Sequence, residues 1–342
     1  MNGRIDSKTI MDAAQRAASW LTSQQAPDGR YGEEDDLNAY YKSPYPLRIA
    51  GQPAAASRCL GYVIRRYMTP DGDFFNSPAE RTAGTYTRYY CQIYPNFWLL
   101  RAACVLNRFD LAQRVFAFLL TCQDEATGGA YYEVDRASGL LDSNSTACLC
   151  LAGLMCGDIR VAARAGDALL HWKGLQNADD RFYLRWRPGG DIQTAFDDDK
   201  ALYYVVDATQ NGQFYWQAGL PLAALAKLYL VTREGKYLSG SVGLYDYLLS
   251  CQPDVVASLP VGKLGWGSAI LYGITGDRRY LDTNRRITAY YLDTQHRDGY
   301  WLSPVHETIE TQPLNLTTDL TGEFCAWLLD YTAELENGSP AI

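Results

Sequence analysis

Four acids in a row, Glu33-Glu34-Asp35-Asp36, stand just before an aromatic pair, Tyr40-Tyr41. Clustered carboxylates repel one another, and the repulsion keeps a proton on one of them near neutral pH. Such a group can hand that proton to a substrate. Asp35 is the first candidate for this acid, with Asp36 and Asp207 next. A second polar group must then remove a proton, and His306, Glu323 or Tyr94 could serve.

A second acidic run, Asp197-Asp198-Asp199-Lys200, has Ala201 where a D-D-x-x-D motif would place its last carboxylate. No N-x-x-[ST]-x-x-x-E partner accompanies it, which disfavours metal-assisted diphosphate ionisation. The three histidines are scattered: His171 beside Trp172, His296 in a turn, and His306 next to Glu307. Zinc needs three or four ligands of N or S character, and no C-x-x-C exists. Cys148-x-Cys150 on a helix would point its thiols to different sides. Neither G-x-G-x-x-G nor G-x-x-x-x-G-K-[ST] appears. The expectation is a cofactor-free, metal-free acid–base enzyme with a small-molecule substrate.

Composition narrows the partners. Of 342 residues, 47% are hydrophobic, enough for a large core, and the net charge of −8 argues against nucleic acid or an anionic membrane. No apolar window reaches the roughly 18 residues of a spanning helix. Without a secretory signal, the nine cysteines read as reduced thiols, which predicts a cytoplasmic protein.

The elements that must position these residues show in two recurring patterns. Leu220–Leu230 is apolar all round apart from Lys227, the signature of a buried helix. After a turn at 231–235, Leu238, Val242, Tyr245 and Leu249 recur on one stripe, the signature of an amphipathic partner. Similar hairpin turns recur at 49–53, 106–110, 155–158 and 274–277. The second pattern, Q-x-x-D-G-x-aromatic, is ungapped at Gln25–Tyr31 and Gln295–Trp301. Weaker copies lie at Met68–Phe74, Gln176–Phe182 and Gln123–Tyr131. It reads as a helix end, an Asp-Gly turn and an aromatic that tucks back between helices.

Together the patterns predict an all-α chain of twelve helices in six hairpins, a closed (α/α)6 barrel. Outer helices fall near 8–23, 53–67, 109–121, 158–172, 236–250 and 278–293. Inner ones fall near 43–51, 94–107, 143–156, 214–231, 261–274 and 318–334. Residues 1–334 form one domain in this reading, and 335–342 a frayed tail.

The Q-x-x-D-G-x-aromatic copies resemble the QW motifs of the terpenoid-cyclase and protein-prenyltransferase α/α-toroid superfamily. The hairpin turns are equally similar to those of six-hairpin glycosidases. Within that resemblance, Glu33–Asp36 looks like the D-x-D-D acid motif of class II terpenoid cyclases. Glu33 replaces the first Asp, and Asp35 falls on the proton donor's position. The Asp-x-Cys and later His of prenyltransferase zinc sites are absent.

Long connections and inner-helix starts share one end of such a barrel, where sites are built. Tyr41, Arg88, Tyr90, Tyr94, Tyr132, Asn144, Tyr215, Trp216, Lys263 and Trp266 fall there and are the candidate substrate-binding residues. The leading expectation is an isomerase, cyclase or dehydratase acting on a terpenoid or polyketide. The alternatives are a glycoside hydrolase, unsaturated-uronyl hydrolase or sugar epimerase, and a non-catalytic binding toroid.

Overall fold

The computed structural model describes residues 6–33, 35–75 and 93–337. The amphipathic helices are α1 (Ser7–Ser23), α3 (Pro53–Tyr67), α5 (Phe109–Thr121), α7 (Ile159–Gly174), α9 (Gly235–Ser250) and α11 (Arg278–Thr294). Their apolar partners are α2 (Pro44–Ile49), α4 (Tyr94–Val105), α6 (Ser143–Cys156), α8 (Trp216–Thr232), α10 (Gly262–Thr275) and α12 (Leu314–Asn337). All twelve expected helices are there. Two small antiparallel pairs join them: β1 (Leu141–Asp142) with β3 (Arg185–Trp186), and β2 (Arg181–Tyr183) with β4 (Val205–Asp207).

Asp36 caps a 3₁₀ turn, Leu37–Ala39, and α2 starts only at Pro44. α12 runs to Asn337, and Lys227 and Trp266 both hold its Glu334.

The chain packs as two compact units. One comprises Met1–Arg88, Pro95–Phe118 and Thr288–Ala333, the other Tyr89–Tyr94, Leu119–Ile287 and Glu334–Ile342. In the second, α8 packs against α6, α9 and α10 and buries Leu220, Leu222, Leu225 and Leu228 completely. Each such leucine contributes roughly 1.5–3 kcal/mol. The hairpin turns follow helix-end chemistry. Gly157 closes α6 at φ 78°, and Asp158 then caps α7 by accepting the Val161 N–H at 3.0 Å.

The Q-x-x-D-G turns dock on neighbouring outer helices. Gly29, Gly72, Gly128 and Gly299 all have positive φ, and a Cβ on them would lie 2.2, 2.5, 2.6 and 2.3 Å from the carbonyls of Arg58, Arg114, Arg164 and Arg16. Only glycine fits there. Each arginine then reaches back to its turn: Arg16 Nη2 to Gln295 Oε1 at 2.6 Å, Arg58 Nε to Gln25 Oε1 at 3.1 Å, Arg114 Nη2 to the Pro70 carbonyl at 3.2 Å and Arg164 Nη2 to the Asp124 carbonyl at 3.4 Å. The aromatics Tyr31, Phe74 and Trp301 are fully buried, as their pattern required.

Candidate active site

In the first unit, one face of α12 carries Asp319, Glu323, Trp327 and Asp330, spaced four, four and three residues apart. The helix is otherwise apolar there, so three carboxylates are carried into a packed interior. Two cations meet them.

Lys42, just ahead of α2, lies with Nζ 2.7 Å from Asp319 Oδ2 and also hydrogen-bonds Glu323 Oε2. The three side chains are 5%, 18% and 13% exposed. Glu323 has its second oxygen occupied too, accepting the Trp327 Nε1–H at 3.0 Å. Asp319 Oδ1, by contrast, has no hydrogen-bond partner among the described residues. Burial pushes the Asp319 carboxyl above the usual carboxylate range. Lys42 draws it down, Glu323 pushes it up again, and hydrogen bonds from Lys42 and Tyr41 draw it down without cancelling the burial. One ammonium is thus shared by two carboxylates.

Further along the same stripe, Arg101 Nη2 lies 2.7 Å from Asp330 Oδ2, and the Tyr45 hydroxyl donates to Asp330 Oδ1 at 2.6 Å. The guanidinium stacks 3.8 Å from the Tyr45 ring centroid and 4.9 Å from that of Trp98. With both ion-pair side chains at most 10% exposed, this node is a closed structural tie.

The sequence candidates divide. Glu323 and Tyr41 belong to the Lys42 cluster; the Lys42 ammonium lies 5.3 Å from the Tyr41 ring. Asp35 instead lies on the surface, paired with Arg66 at 3.2 Å with both side chains about half exposed, the environment of a solvated ion pair. Asp36 spends its carboxylate on Asn38 N at 2.9 Å and Asn315 Nδ2 at 3.1 Å. His306 is half-buried in the loop before α12, its backbone N–H given to the Ser303 carbonyl at 2.9 Å. Arg88 and Tyr90, with Glu34, lie outside the described residues.

In the second unit, Tyr94, Trp216 and Lys263 come together at helix starts. The Lys263 ammonium lies 5.0 Å from the Tyr94 ring and 5.4 Å from Trp216. Gly219 permits it: a Cβ there would lie 2.8 Å from the Leu264 nitrogen, so α8 and α10 touch backbone to backbone. The remaining candidates of this unit make the following contacts. Asn144 Nδ2 donates to the Gln217 carbonyl at 3.3 Å, Tyr215 donates to Asp254 Oδ1 at 2.6 Å, and Trp266 Nε1 donates to Glu334 Oε1 at 3.1 Å. The Tyr132 ring stacks on the Arg185 guanidinium at 3.5 Å. For Asp207, burial pushes the carboxyl up, but hydrogen bonds from Thr209 and the nearby Arg181 more than offset it, leaving it below the usual range. Asp197–Asp199 are exposed, with Asp197 paired to Lys200 at 2.6 Å. Among the described residues, no three His, Cys, Asp or Glu side chains are grouped to hold a metal ion, and no helix is long and apolar enough to cross a membrane.

Lys42 is not among the residues the sequence marks for the site, and Asp319 is not among its catalytic candidates. A signal was present: Asp319, Glu323 and Asp330 share a single helical face within an apolar stretch.

No protein-family model matches this chain, and no curated protein matches it. Solved structures do. A D-mannose isomerase aligns with a TM-score of 0.69 at 13% identity, over 96% of this chain and 99% of that one. A family 76 glycoside hydrolase, an α-mannanase from Bacteroides thetaiotaomicron, aligns at 0.67 and 14%, over 98% of both chains. A type II terpene cyclase from Scytonema, bound to geranylgeranyl dihydroxybenzoate, aligns at 0.58 and 13%, over 96% and 99%. These are (α/α)6 toroids, and that is the fold of this chain.

Proposed function

We propose that the chain is a cofactor-independent acid–base enzyme, an isomerase or cyclase, that protonates a small, largely apolar metabolite of terpenoid or polyketide type. The observation that carries this reading is the asymmetry of the Lys42 cluster. Glu323 has both oxygens occupied, while Asp319 has Oδ2 on Lys42 and, with the Tyr41 hydroxyl nearby, a buried Oδ1 that closes no hydrogen bond. Asp319 Oδ1 is therefore the atom that holds a proton and can deliver it. On delivery the new carboxylate is stabilised by Lys42, already in place at 2.7 Å. The same oxygen can take a proton back from a neighbouring carbon of the cationic intermediate, which returns the enzyme to its starting state with no net proton change. Tyr41 lies beside the cluster, its ring 5.3 Å from the Lys42 ammonium.

A carbohydrate substrate is the second reading, favoured by the likeness to a mannose isomerase and to mannanases. Inverting glycoside hydrolysis fits the cluster poorly. Two carboxylates hydrogen-bonded to one ammonium stand closer than the roughly 6.5–9.5 Å that leaves room for an attacking water.

Incubation in D₂O decides between them. A geranylgeranyl-substituted phenolic acid should give an isomerised or cyclised product carrying deuterium, and Asp319→Asn should lower the rate by about 10²–10⁴-fold. Turnover of D-mannose or α-1,6-linked mannan, with the isoprenoid untouched, would replace this reading with the second.

A further inference from the structure

Arg185 is an unusual buried cation. It is 1% exposed. The guanidinium lies between two tyrosine rings, 3.5 Å from the Tyr132 centroid and 3.9 Å from that of Tyr204. Its Nε stands 3.5 Å from Asp142 Oδ2, within ion-pair range, yet makes no hydrogen bond. A planar guanidinium carries five N–H donors in a fixed fork, and leaving buried donors unmatched is costly. Both faces are covered by rings, so only the edge of the fork is left to bind anything.

The backbone places that edge at a helix start. Asp142 and Arg185 face each other across the β1–β3 pair, and Asp142 caps α6 by accepting the Ser145 N–H at 2.8 Å. Ser143, the first residue of α6, has a buried hydroxyl without a partner. The first turn of this 14-residue helix adds the positive end of its dipole. Tyr204 is the half-buried side of the sandwich.

We infer that Arg185, clamped between Tyr132 and Tyr204 at the start of α6, is the receptor for an oxyanion, a carboxylate or phosphate, on an organic ligand. The site is independent of Asp319, so its test can fail without touching the proposed reaction. Asp142 acts as the resident competitor, a carboxylate near the fork but too poorly aligned to satisfy it.

The test is calorimetric titration of the full chain with benzoate and, separately, inorganic phosphate. Saturable binding of one of them is expected, and which one identifies the group. Arg185→Lys, which keeps the charge and loses the fork, should weaken it roughly ten-fold or more. Asp142→Asn should tighten it, because the competing charge is gone while asparagine still caps the helix. Binding unchanged in Arg185→Lys, or no binding of either probe up to about 10 mM in wild type and Asp142→Asn, overturns the inference. Should Arg185→Lys fail to fold, the wild type decides alone, since a purely structural Arg185–Asp142 pair predicts no saturable oxyanion binding while Asp142 is in place.

Discussion

Asn144 donates its side-chain amide to the backbone carbonyl of Gln217 at 3.3 Å, and the reason lies four residues further on. Pro221 sits inside α8 and has no N–H, so the Gln217 carbonyl loses its ordinary i+4 donor. Asn144, the second residue of α6, fills the vacancy from the neighbouring helix. A residue that sequence position alone marked as substrate-binding thus ties two buried helices together.

Asn144→Ala should therefore destabilise the chain by about 1–3 kcal/mol, the cost of an unsatisfied buried carbonyl. In a Pro221→Ala background alanine supplies the missing N–H, and the same substitution should cost much less. Urea unfolding of the four proteins measures the coupling. Strict additivity would mean that the two residues do not share the carbonyl.

Gly299 and Gly276 both have positive φ, at 104° and 71°, but only Gly299 faces a carbonyl. Alanine at Gly276 meets nothing within 4 Å and should cost about 1–2 kcal/mol for the left-handed backbone alone. Alanine at Gly299 would put a Cβ 2.3 Å from the Arg16 oxygen and must displace the last Q-x-x-D-G turn from α1. Its midpoint should fall well below that of Gly276→Ala in the same denaturation assay. Equal losses would show that the docking adds nothing.

The helices were legible because their signals are local. A 3.6-residue stripe, a Gly-Asp turn and an Asp-Gly turn each act within a few positions of one another. The docking arginines were equally local, in Ala14-Gln-Arg16, Ala56-Ser-Arg58, Ala112-Gln-Arg114 and Ala162-Ala-Arg164, but a hydrophobicity pattern does not read a charged residue as a repeat. The proposed acid is a different problem. Asp35 stands out because its acids are contiguous, yet on their surface turn Glu33 and Asp35 are exposed. Asp319 gains its environment from Lys42, 277 positions away, and from packing that no short window contains.

The Arg101–Asp330 tie should behave as a buried ion pair. Arg101→Met leaves the Asp330 charge with the Tyr45 hydroxyl alone and should cost about 3–5 kcal/mol. Pairing it with Asp330→Leu removes the stranded charge, so the double variant should be more stable than Arg101→Met. If the double variant unfolds earlier still, the pair contributes net stability, and desolvation is the smaller term.

Asp319 has a second consequence, for stability against pH. Its folded-state pKa is raised, chiefly by burial, so the native state holds a proton that the unfolded chain has released. Stability from this group is present below the unfolded value of about 3.9 and falls as pH climbs from there through the raised value. An asparagine side chain at this position would carry no charge to bury and could still accept a hydrogen bond from Lys42. Asp319→Asn should thus melt higher than wild type at pH 7, and the gain should shrink toward pH 4. A chain tuned for chemistry at this carboxyl should show that stabilisation together with the 10²–10⁴-fold loss of rate, the opposing pair expected when a strained acid is removed. Glu323→Gln is the control: its carboxylate has both oxygens matched, by Lys42 and Trp327, and neutralising it should lower the melting temperature. If Asp319→Asn melts lower than wild type at pH 7, attraction to Lys42 outweighs burial, Asp319 is ionised in the resting protein, and it is not the proton donor.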